Sequence, residues 1–250
     1  MNSALVGLVV FGCSFGGVLV GVAVRSRVPE HHLQDSSRQS VQLGIGLIAT
    51  MSALVLGLVT ASAKSAFDTL DTTIKHTAAD LLSLDRTLAR YGPETNELRQ
   101  ALKTAIAHRV DQIWQRGSSG LDPNGGTRAV EELASRIRAL TPKTEDQRWL
   151  QSRALDISEQ ILETRWQIFA GLSSSIPLPF LTILIFWLTV TFGSFGLFAP
   201  RNATVLATLF VCALSVAAAV FLVLELDAPF DGMIRVSPAP LEYAVSHMGE

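Results

Sequence analysis

The chain has 250 residues, 48% of them hydrophobic and only 17% charged, against roughly 25% charged in a typical soluble domain. Twenty basic and 22 acidic residues give a formal net charge of −2, which supplies no basic field for nucleic acid. The two cysteines, Cys13 and Cys212, support no disulfide framework; each lies in an apolar stretch, where a cysteine packs as a small hydrophobe.

Charged and apolar residues are segregated along the chain. Residues 4–24, 41–63, 176–198 and 203–224 contain no Asp, Glu, Lys or Arg. Each is longer than the ~20 apolar residues a helix needs to cross a hydrocarbon core. The expected fold class is therefore all-α: a polytopic membrane protein with four transmembrane helices and an inserted extramembrane helical bundle. Residues 1–63 form a first transmembrane hairpin, 64–175 the bundle, 176–224 a second hairpin and 225–250 an acidic C-terminal tail. No basic residue precedes the first span, and Arg25 and Arg27 follow it. That is the reverse of a signal peptide, so an uncleaved anchor is expected.

The two short loops, 25–40 and 199–202, carry Arg25, Arg27, Arg38 and Arg201. Short loops rich in Lys and Arg stay in the cytoplasm. The bundle and both termini are accordingly expected outside, although Lys64 and Arg165 flank the bundle on its own side.

The insert reads as helical throughout. Phe67, Leu70, Ile74, Ala78, Leu81, Leu84, Leu88 and Tyr91 recur at steps of three and four, the period of an amphipathic helix. Nothing breaks the chain between Ala63 and Lys64, so the second span should continue directly into this helix. Gly92-Pro93 should end it. A helix over about 94–114 follows, then the flexible turn RGSSGLDPNGG (116–126). A short helix is expected over about 127–140. A last one, over about 145–169, is capped by Thr144 with Gln147 three residues on. Gly171, Pro177 and Pro179 separate it from the third span.

The second span has an uneven surface. Gln42, Gly46, Ala49, Thr50, Ala53, Gly57, Thr60, Ala61 and Lys64 share one helical face, and Leu43, Leu47, Val55 and Leu58 lie opposite. Small residues allow close helix packing, and Ser and Thr hydrogen-bond across helices. The same face, repeated around an axis, would line a water-filled path. Both readings stand at this point. No span carries a charge at its centre, which argues against an intramembrane proton relay. In the fourth span Ala207, Ala213, Ala217, Ala218 and Ala219 suit close packing. In the third, Trp187 and the phenylalanines are expected to face lipid or neighbouring helices.

Three acids, Glu225, Asp227 and Asp231, crowd the end of the last span in FLVLELDAPFDG, where the helix dipole already places partial negative charge. They could be answered by a base such as Lys64, Arg165 or Arg235, by a bound cation such as calcium, by symmetry copies forming an acidic ring at a pore mouth, or by solvation alone. The spacing is not that of an EF-hand. His31, His32 and Asp35, in PEHHLQDSSR, are candidate metal ligands or pH sensors, set against plain solvation or packing. No GxSxG, P-loop, HExxH or CxxC motif occurs. His76 and His108 have no evident nucleophile beside them. No enzyme activity is expected.

In ELDAPFDGMIRVSPAPLEYAV (225–245), Glu225, Leu226, Asp227, Pro229, Phe230, Gly232, Val236, Ser237, Pro238, Pro240 and Leu241 resemble the bacterial bestrophin-like membrane domain family of unknown function. His31, His32 and Asp35, the LVLGL of 54–58, Phe67-Asp68 and Tyr91-Gly92 are similar to it as well. The resemblance implies a relation to bestrophins, pentameric anion channels with calcium-binding acidic clusters. The long acidic run of those channels is missing here. An oligomeric ion channel of the inner membrane is therefore the leading expectation, the lipid bilayer and inorganic ions its partners, with cations slightly favoured by the acids after the fourth span. The rival is a non-conducting assembly or sensor protein whose bundle binds a partner.

Overall fold

A computed structural model describes residues 2–25, 35–117, 123–171, 176, 178–200 and 202–249. Among these residues eight α-helices follow in order: α1 (Ser3–Arg25), α2 (Asp35–Tyr91), α3 (Asn96–Arg116), α4 (Pro123–Arg138), α5 (Glu145–Gly171), α6 (Leu178–Phe198), α7 (Ala203–Leu226) and α8 (Ala239–His247). A 3-10 turn, Pro93–Thr95, precedes α3. Among the described residues all regular structure is helical. Four of the helices are long and apolar enough to cross a membrane, as expected. The chain divides into two compact units: Met1–Ser65 with Ser174–Ala228, and Ala66–Ser173 with Pro229–Glu250. The expected unbroken passage from the second span into the insert is α2 itself.

In the first unit α1 packs along α6 and α7. Val10 and Val18 are fully buried and Gly7, Ser14 and Gly21 lie on the same side of α1. The crossing with α6 is set by glycine. A Cβ on Gly21 would overlap the Gly193 carbonyl, and one on Gly196 would overlap that of Val18. A Cβ on Gly17 would lie 2.8 Å from the Thr189 carbonyl. Gly17 and Gly21 have the small-xxx-small spacing that lets backbones touch without a hydrophobic driving force. On α7, Ala213 and Ala217 are buried, where small side chains again permit close approach. Phe210 meets Phe11 and Phe15 edge-on at 5.3 and 5.2 Å. Arg25 donates a hydrogen bond to the Ala199 carbonyl, placing a cation at the C-terminal end of α6 where the dipole favours it.

The second unit is a helical bundle. Leu81, Leu84 and Leu88 of α2, Leu98 and Leu102 of α3, Leu133 and Ile137 of α4, and Ala154, Ile157 and Ile161 of α5 form its core, together with Met248. Gly92, at φ 140°, makes the turn out of α2, and the buried Thr95 hydroxyl donates to the carbonyls of Leu88 and Gly92. The Thr144 cap forms as expected: the Gln147 amide donates to its hydroxyl at 3.1 Å. The Gln147 side chain also donates to the Tyr91 carbonyl at 3.0 Å, tying the start of α5 to the end of α2.

Two local expectations change. Residues 123–126, read as part of a flexible turn, open α4; proline is tolerated in the first turn of a helix because its missing N–H would be unbonded there anyway. The C-terminal tail is also not merely acidic. It contains α8, and Pro229–Glu250 belongs with the bundle.

Candidate functional site

The second span shows three faces in the protomer. Ser52 and Ala63 are buried, and Ile48, Val55, Leu56 and Val59 are half-buried on the same side; Ala63, Val55, Leu56 and Val59 join the core of the first unit. Leu43, Leu47, Leu54 and Leu58 are exposed on a second face. Of the candidate path-lining residues on the third, Gln42, Gly46, Thr50, Ala53, Gly57 and Lys64 are exposed, while Ala49 and Thr60 are half-buried. Among the described residues, a Cβ added at Gly46 or Gly57 would meet nothing within 4 Å. Neither glycine is needed for close packing inside the protomer.

Towards one end of α2, Gln42, Ile45, Gly46 and Ala49 face Phe195 and Leu209 across a cavity of about 460 Å³. The Thr50 hydroxyl donates to the Gly46 carbonyl at 2.8 Å and that of Thr60 to the Leu56 carbonyl at 2.7 Å. Each proton is thus spent on the helix's own backbone, so Oγ1 turns acceptor lone pairs outward.

The three acids after the fourth span fall in different settings. Glu225, in the last turn of α7, is 6% exposed, and Asp227 is its half-buried C-cap. Asp231 belongs to the second unit, where it lies against the turn at Gly117. Gly117 has φ 63°, and a Cβ there would overlap an Asp231 carboxylate oxygen. Among the described residues, no group of three or more His, Cys, Asp and Glu is placed to hold a metal ion. The His31, His32 and Asp35 cluster lies outside the described side chains.

Sequence reasoning passed over what the tail does in the second unit. Phe230 and Val236 are buried with Ile74. Phe230 meets Trp114 edge-on at 6.0 Å, and the Trp114 indole donates to the Val236 carbonyl at 2.9 Å. Further on, Lys103 donates to the Met248 carbonyl at 2.8 Å and the Gly249 amide to Asp85 at 3.2 Å. Asp85 is fully buried and takes a two-pronged grip from Arg99, at 2.9 and 2.8 Å. That hydrogen bonding holds the Arg99 guanidinium above its usual pKa against the opposing effect of burial. Phe230, Val236 and Leu241 recur at neither a helical nor a strand period, so the sequence carried no periodic signal for this packing.

The bestrophin-like domain family model matches residues 12–241, from partway along α1 through the other three apolar helices and the bundle into α8. The chain belongs to the bestrophin-like domain family. As a bestrophin-like protein it is an integral membrane protein, its four long apolar helices supplying the spans. No curated protein and no solved structure matches it. The stretch 225–236 is divided between the two units of this bestrophin-like domain: Glu225 and Asp227 end a span, while Phe230, Asp231 and Val236 join the bundle.

Proposed function

We propose that this protein is an oligomeric membrane channel for small ions, with α2 lining the path and a slight preference for cations. Beside family membership, the observation that carries this reading is the exposed small-residue face of α2. Among the described residues, Ala53 and Gly57 are exposed in their own protomer, and Gly46 is exposed beside the cavity it shares with Phe195 and Leu209, so copies of that face are available to surround an axis. A ring of small, weakly polar residues admits water without a charged group at mid-span. Outward-turned hydroxyl oxygens at Thr50 and Thr60 favour cations over anions. Asp227, the more exposed of the two carboxylates ending α7, adds negative potential where ions would enter.

In this reading the protein sits in the bacterial inner membrane. The short loops are cytoplasmic, and the bundle and both termini are extracytoplasmic. It has no enzyme activity, and its partners are lipid, inorganic ions and further copies of itself. Purified protein in planar bilayers should give single-channel currents, and Asp227→Asn should lower the preference for cations. Bilayers silent across voltage, pH and calcium would overturn the proposal.

A second reading has one observation in its favour. Hydroxyls bonded to their own backbone leave the face of α2 nearly neutral, which suits tight helix association as well as it suits water. A non-conducting assembly or sensor protein, its bundle binding a partner, would show an oligomer with no central gap.

A further inference from the structure

The bundle holds a hollow that the channel reading does not use. It measures about 510 Å³, within the roughly 300–1,000 Å³ of small-molecule sites. Helices α2, α3, α4 and α5 wall it, with Phe230 and Leu241 from the tail. Ile74, Leu81, Leu102, Leu133 and Ile161 are buried along its wall. Among the described residues, every exposed member of the wall lies on α3 or α4: Ala101, Ala105 and His108 on the one, Ala129, Glu132 and Arg136 on the other. The way in therefore runs between these two helices, past alanines too short to close it.

The size and the walls select an occupant. Left empty, a void of this size would cost about as much as a domain's whole stability. Water would find few hydrogen-bonding partners on walls of Ile and Leu. A docked helix is too thick: at 10–12 Å across, two turns displace roughly 850 Å³ or more. A flexible hydrocarbon chain fits. The charges on the wall do not ask for a charged head. Glu132 and Arg136 hold each other at 2.5 Å, and Arg109 and Arg165 have interactions of their own. An anionic head would have to displace those partners, and a cationic one would meet three arginines against one carboxylate. We propose that the bundle binds an uncharged single-chain lipid, its aliphatic chain among these walls and its hydroxyl end in the opening between α3 and α4.

Trp114 lines the same hollow and reports on its contents. In full-length protein in nanodiscs of zwitterionic lipid, Trp149, Trp166 and Trp187 are replaced by Phe so that Trp114 alone emits. A monoacylglycerol with a brominated chain is titrated in, and dibromostearate serves as the anionic comparison. Saturable quenching by the neutral probe is expected, together with a rise in melting temperature. Dibromostearate should bind no more tightly. Ala105→Phe and Ala129→Phe fill the opening from opposite sides, at exposed positions where a larger side chain leaves the core intact. Each should abolish both the saturable quenching and the rise in melting temperature. Quenching that never saturates, that both variants leave unchanged, or that dibromostearate produces at about tenfold lower concentration would overturn the proposal.

Discussion

Trp114, on α3, donates its indole N–H to the main-chain carbonyl of Val236, at 2.9 Å. This bond ties the C-terminal tail into the helical bundle, with Phe230 against the same ring. Trp114→Phe keeps most of the apolar contact and removes the donor. A loss of about 1 kcal/mol is expected, seen as a lower melting temperature in detergent. Trp114→Ala also loses the ring contact and should cost more.

Gly117 and Asp231 should behave as a coupled pair. Gly117 combines φ 63° with ψ −145°, a region nearly closed to residues with a Cβ. A Cβ there would also overlap the Asp231 carboxylate. Gly117→Ala should therefore destabilise by roughly 1–3 kcal/mol. Asp231→Gly should recover part of that loss when combined with it, which a double-mutant cycle measures. Strict additivity would show that only the backbone angle matters.

The buried pair of Asp85 and Arg99 makes a contrast between single and double variants. Asp85→Ala leaves the Arg99 guanidinium, 8% exposed, without its main partner. A loss of about 3–5 kcal/mol is expected. Replacing both, as Asp85→Leu with Arg99→Met, should be much milder because no charge is then stranded. Chemical denaturation of the full-length protein in detergent distinguishes the two.

Much of the architecture was legible in the sequence, and the reasons are local. A charge-free run longer than a bilayer is thick has few other uses, and the three-four spacing from Phe67 to Tyr91 continued the second span with no glycine or proline to stop it. The Thr144 cap needed only its own turn. What stayed hidden depends on distant partners. Nothing near Phe230 or Val236 announces Trp114, more than a hundred residues earlier in the chain. Helix α8 went unanticipated; it begins at Ala239, between Pro238 and Pro240, because a helix tolerates proline in its first turn. The small-residue face of α2 was visible as a pattern. Its exposure in the protomer is a property of packing, because it depends on which side of α2 meets the other helices.

The α1–α6 crossing should tolerate no side chain at its closest points. Gly21→Ala and Gly196→Ala each force backbones apart, at an expected cost of roughly 1–3 kcal/mol. Gly12→Ala is the control, since among the described residues nothing lies within 4 Å of a Cβ there, and it should be neutral. Thermal unfolding of the three variants in one detergent makes the comparison.

The most direct test of conduction through α2 is a cysteine scan of that helix during bilayer recording, with Cys13 and Cys212 replaced by Ala. Cysteines at Gly46, Ala53 and Gly57 are compared with cysteines at Leu47, Leu54 and Leu58, using a charged, water-soluble thiol reagent. Block confined to the first set is the expected result. Currents untouched at 46, 53 and 57, or blocked equally at both sets, would contradict a path lined by this face.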